Sequence, residues 1–156
     1  MKTDNFLTSG APLAEADRAM ILVHGRGADA RSILGLAPHL TQPGLTFVAP
    51  QAAGNTWYPY SFLMPLAQNE PYLSSALETL GATVQRLRYA GLPSEKIYLL
   101  GFSQGACLSL EFAARHAVRY GGVFGLSGGL IGPPGTPRNY AGNFGGTPVF
   151  LGCSDV

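Results

Sequence analysis

Five short runs, at 19–23, 46–49, 97–100, 123–126 and 149–151, limit what this chain can fold into more than any other feature: each is nearly all apolar and bounded by Gly, Pro or polar turn residues. Runs of that length that are apolar at alternating positions on both sides form strands buried on both faces. Between the second and third, Leu73, Leu77, Leu80, Val84 and Leu87 keep helical spacing, with Pro71 placed to start a helix and Gly91 to stop it. A second helix, apolar on nearly every side, is expected from Gln104 to about His116, and a shorter one over 28–40, weakened by Gly35 and Pro38. The order strand, helix, strand, helix, strand, helix, strand, loop, strand implies right-handed crossovers. It predicts an α/β architecture, a mainly parallel sheet with helices on both faces.

Composition agrees. Hydrophobic residues make up 46% and charged residues 12%, which suits a sheet covered on both sides, and 156 residues suit one domain, 1–156. The net charge of +1, carried by scattered cations, offers no field for nucleic acid. No run approaches the roughly 18 apolar residues of a membrane span, and the first residues lack an apolar signal core, so a cytoplasmic protein is expected. Cys107 and Cys153 are too sparse for a disulfide framework or metal site and read as buried free thiols. The Gly- and Pro-rich stretch 128–146 reads as a surface excursion within the same domain.

The strongest chemical signal is Gly101-Phe102-Ser103-Gln104-Gly105, a G-x-S-x-G turn between an expected strand and an expected helix. Glycines two residues either side let strand and helix pass closely and lift the serine above the sheet. Ser103 is the candidate nucleophile, and the Gln104 amide, at the new helix's start, a candidate oxyanion donor. Without that context the match would be chance in a chain with 21 glycines. Upstream, Leu22-Val23-His24-Gly25-Arg26-Gly27 ends a strand in H-G-x-G, and its Arg26 amide is the second candidate donor. The competing reading is a dinucleotide-binding turn. It is weakened by Ala30 at the third glycine position, which the pattern tolerates poorly but does permit, and by the absence of an acidic residue ending the second strand.

His24, inside that loop, reads as a structural support rather than a base; His39 on a helix flank and His116 near a helix end are not placed to reach Ser103. Asp155, in G-x-x-D after the last strand, is the candidate acid, with a turn or cap aspartate as its bland alternative. Glu111, further down the nucleophile helix, is expected to face away from the serine. The aromatic, Pro-broken segment 57–66 suits either a wall for an apolar acyl group, with Trp57 and Phe62 as substrate-binding contacts, or a cover over the core.

These segments, together with Val48-Ala49-Pro50, Trp57-Tyr58-Pro59-Tyr60 and Gly152-Cys153-Ser154-Asp155, resemble the phospholipase/carboxylesterase family from about Arg18 onward. The resemblance implies an α/β-hydrolase fold and hydrolysis of a small-molecule carboxylic ester or thioester through an acyl-serine, without metal or organic cofactor. It maps the nucleophile to Ser103, the acid to Asp155 and the oxyanion amides to Arg26 and Gln104. Family members continue beyond the acid to a catalytic histidine, so the resemblance also implies a C-terminally incomplete domain, lacking its last strand and helix. The alternative is a ligand-binding module without turnover.

Overall fold

The computed structural model describes residues 5–154. Its elements are β1 (Phe6–Gly10), β2 (Arg18–Val23), α1 (Ala30–Ile33), α2 (Ala37–Leu40), β3 (Leu45–Pro50), α3 (Tyr72–Tyr89), β4 (Ile97–Phe102), α4 (Gln104–Arg115), β5 (Gly122–Leu126) and β6 (Val149–Gly152). All five expected strands form, in one sheet ordered β1-β3-β2-β4-β5-β6. From β3 to β6 every pairing is parallel.

β2 shows why the central strands read as unbroken apolar runs. Successive strand side chains point to opposite faces, and here Ala19, Ile21 and Val23 join the core under α3 and α4, while Met20 and Leu22 join the core under α1 and α2. Neither face is available to a polar residue. α3 buries Leu73, Leu77, Leu80, Val84 and Leu87, the positions its spacing selects. α4 is buried from Gln104 through Ala113.

Three differences from expectation have local causes. β1 is an additional strand, antiparallel on β3. The helix expected over 28–40 is broken into α1, a 3₁₀ turn and α2, because Pro38 cannot donate within a continuous helix and instead takes a first-turn position in α2. Its start is set by Asp29, whose carboxylate accepts from the Ser32 amide at 2.7 Å while the Ser32 hydroxyl accepts from the Asp29 amide at 3.1 Å. Cys153 is exposed rather than buried; Cys107 is buried as expected. At the sheet edge, β6 leaves Val149, Phe150 and Leu151 exposed.

Register decides what meets at the sheet's C-terminal edge. Val23, Gly101, Gly125 and Leu151 form one row across β2, β4, β5 and β6. The loop at 24–27, Ser103, Ser127 and the chain beyond Gly152 therefore emerge side by side. Among the described residues no helix is long and apolar enough to cross a membrane.

Candidate active site

Ser103 joins β4 to α4 with φ 54° and ψ −117°, a left-handed conformation that a side chain holds only where its surroundings impose it. The imposition is steric. A Cβ at Gly101 would collide with the Gly105 carbonyl group, and one at Gly105 with the Val23 carbonyl. Only glycine at both places lets α4 leave the sheet this close to β2 and β4. The turn is fastened by the Ser103 amide donating to Leu126 O at 2.9 Å and the Cys107 amide donating to Ser103 O at 3.1 Å. Ser103 is left exposed on the outside of the turn.

The 24–27 loop lies against it: a Cβ at Gly25 would sit 3.4 Å from the Ser103 Cβ and 3.3 Å from Phe102 O. Gly27 N donates to Asn55 O at 2.7 Å and Ala28 N to Gly25 O at 3.2 Å. The Arg26 N–H has no hydrogen-bond partner among the described residues. Gln104, as the first residue of α4, likewise has no intrahelical carbonyl for its N–H. Among the described residues, these two backbone donors thus stand without partners beside the serine turn.

His24 is fully buried, and both ring nitrogens are engaged. Nε2 accepts from the Ala52 amide at 3.1 Å, which fixes the proton on Nδ1, and Nδ1 donates to Gly25 O at 2.9 Å. This is the structural histidine that its position in the loop suggests. His39 lies in the short helix α2, one residue before its end, and His116 caps the C-terminus of α4, about 18 Å from the helix start at 1.5 Å per residue. None of the three faces Ser103. Asp155 lies outside the described residues; the parallel pairing of Leu126 with Gly152 brings the chain to the serine's edge of the sheet just before it.

Trp57 and Phe62 part company. Trp57 is 5% exposed, and its indole donates to His24 O at 2.9 Å, so of its two readings the geometry favours the core one. Phe62 is half-buried, its ring 3.8 Å from a Cβ built on Gly129, and its carbonyl accepts from the Gly132 amide at 2.7 Å. It borders the turn after β5, where Gly128 presses against Ala106 and Ser103 O.

Sequence reasoning missed what the side chains of Arg26 and Gln104 do. Both fasten the 56–60 loop. The Arg26 guanidinium donates to Thr56 Oγ1 (3.1 Å), Pro59 O (2.9 Å) and Tyr60 O (2.8 Å). Gln104 Oε1 accepts from the Trp57 amide at 2.9 Å and its Nε2 donates to Tyr58 O at 2.8 Å. No local signal could have revealed bonds to partners 30 or more residues away. Cys107, one turn into α4, has its thiol pushed up by burial. Among the described residues no group of three or more His, Cys, Asp or Glu could hold a metal ion.

Solved structures share this fold. A phospholipase/carboxylesterase from Dyadobacter fermentans superposes with a TM-score of 0.91 at 46% identity, over 96% of this chain and 71% of that one. Esterase PE8 matches at a TM-score of 0.79 and 26% identity, over 97% of this chain and 75% of that one. Zea mays acyl-protein thioesterase 2, at 0.59 and 19% identity over 83% of this chain and 64% of that one, is alike in fold. The phospholipase/carboxylesterase family model matches residues 10–155. With almost its whole length inside that match, the chain belongs to the phospholipase/carboxylesterase family and has an α/β-hydrolase fold.

Proposed function

We propose that the protein is a serine hydrolase that cleaves carboxylic esters or thioesters through an acyl-Ser103 intermediate. The observation that carries this reading is the exposed, left-handed serine between β4 and α4 with the unpartnered Arg26 and Gln104 amides beside it. In acylation the Ser103 Oγ adds to the substrate carbonyl carbon, its proton passes to a base, and the carbonyl oxygen becomes an oxyanion facing the two amides. Collapse restores the carbonyl and expels the alcohol or thiol, which takes up the proton; water then releases the acid by the same two steps. The three histidines of this sequence do not supply that base. Asp155 keeps the proposed role of orienting it, and Phe62 that of a contact for the acyl group.

The same placement of the histidines favours one second reading, a module that binds esters without turning them over. A fluorophosphonate probe and an ester assay separate the two. In a chain that also supplies the base, labelling of the parent and turnover, both lost in Ser103→Ala with activity reduced by several orders of magnitude, support the hydrolase; residues 1–156 alone are expected to be impaired. An unlabelled serine with retained ester binding supports the module.

A further inference from the structure

The hydrolytic reading leaves one buried charge unused. Glu111, eight residues after Ser103 on α4, is 1% exposed. One carboxylate oxygen accepts from Arg115 Nε at 3.0 Å and from the Tyr140 hydroxyl at 2.7 Å. The other accepts from the Ile131 amide at 3.1 Å, with the Arg138 guanidinium at 3.4 Å. Arg138 also donates to Ile131 O at 2.6 Å. The Ile131 backbone is therefore gripped at its N–H by Glu111 and at its C=O by a cation that Glu111 holds, while its side chain is fully buried.

That grip matters for where Ile131 sits. On one side Gly129 underlies the Phe62 ring and Gly128 presses on Ala106 and Ser103 O; on the other, the Gly132 amide holds the Phe62 carbonyl. Leu66, at the far end of the aromatic segment, lines one cavity with Glu111, Arg115 and Tyr140. The 128–140 stretch contains no helix or strand of its own. Long irregular segments stay in place only through bonds of this kind.

We propose that Glu111 is a positioning residue which, through Ile131 and Arg138, fixes the wall formed by Phe62 and the 128–132 turn and thereby sets the preference among acyl groups. The proposal rests on the hydrolytic reading of Ser103. Neither Glu111 nor Arg138 touches the serine or its flanking amides, so loosening the cluster changes which acyl chains are held more than it changes the chemistry at the carbonyl.

The test measures kcat and KM of the full chain for p-nitrophenyl acetate, butyrate and octanoate, with fluorophosphonate labelling and thermal midpoints in parallel, in the parent, Glu111→Gln, Arg138→Met and Tyr140→Phe. Glu111→Gln keeps an acceptor for the Ile131 amide and removes the charge; Arg138→Met releases the Ile131 carbonyl and leaves the Glu111–Arg115 pair. The expected result is an octanoate-to-acetate ratio of kcat/KM that falls at least tenfold in Glu111→Gln and Arg138→Met, chiefly through KM, with acetate kcat within threefold. If Glu111→Gln does not fold, Arg138→Met and Tyr140→Phe are judged by the same ratio, a threefold fall sufficing for the latter. A labelled, active parent whose variants melt earlier but keep the ratio within twofold overturns the positioning role alone. A parent that carries the base for Ser103 and is nonetheless unlabelled and inert overturns it together with the hydrolytic reading.

Discussion

Replacing Gln104 by alanine separates what this residue's side chain does from what its amide does. The side chain is 6% exposed and meets the Trp57 amide and the Tyr58 carbonyl, both on buried residues. Its amide orientation is fixed by those partners, since an N–H must find the oxygen and a C=O the nitrogen. Gln104→Ala leaves one donor and one acceptor buried without partners, at roughly 1–3 kcal/mol each. Water entering the vacated space recovers part of that, so a loss of about 2–4 kcal/mol is expected. At about 2–4 °C per kcal/mol for a chain of this size, the thermal midpoint should fall by roughly 4–16 °C. Gln104→Glu sharpens the test. The new carboxylate still accepts from Trp57 but turns a second oxygen toward Tyr58 O and buries a charge, so it should be less stable than Gln104→Ala at pH 7. In acid the carboxyl gains a proton to donate, and the order should reverse. Calorimetric melts of the three proteins at pH 7 and pH 4.5 decide it. A midpoint for Gln104→Ala within 2 °C of the parent, or Gln104→Glu at least as stable as Gln104→Ala at pH 7, refutes the reasoning.

Two further outcomes are expected. Trp57→Phe removes the indole donor to His24 O and should cost about 1–3 kcal/mol while lowering ester turnover evenly across acyl lengths; a selective loss of long esters would return Trp57 to the substrate wall. Asp29 is held below the ordinary aspartate value of 3.8, first by the Ser32 backbone amide it caps. A depressed folded-state value means stability that is present above 3.8 and lost as the pH falls through the lower folded value, so the gap in midpoint between parent and Asp29→Ala should narrow as the pH drops below 3.8, and a gap constant down to full protonation would show that the charge plays no part.

The legibility of the fold follows the reach of its causes. The central strands can be read because burial on both faces removes polar residues from five consecutive positions, as in β2. β1 cannot: Phe6-Leu7-Thr8-Ser9-Gly10 is mostly exposed and is held by backbone bonds to β3, which leave no mark on side-chain choice. At the site, Gly101, Ser103 and Gly105 are legible because their requirement is local and steric. The same holds for Gly25 and for His24 as a support. Trp57 is not, since an aromatic segment broken by prolines shows that something apolar is covered and not which ring faces inward. Glu111 is legible as facing away from Ser103, but its partners Ile131, Arg138 and Tyr140 lie in a stretch whose composition suggests only a loop.

The strained serine explains why so much of this machinery lies outside the motif. A left-handed non-glycine residue costs about 1–3 kcal/mol and persists only where its neighbours leave no alternative. Gly101 and Gly105 supply the room, but room alone does not hold two amides toward one point. Here each candidate donor belongs to a residue whose side chain is tied to the 56–60 loop, Arg26 from one side and Gln104 from the other. That loop is fixed in turn on His24 through Trp57, and the 24–27 loop on Asn55 through Gly27. The two amides are thus coupled through a third segment that carries neither of them. A substitution within 52–60 that touches no substrate can therefore move a proposed oxyanion donor, and under that proposal its effect should be found in kcat rather than in KM, because the charge such donors would meet develops only in the transition state.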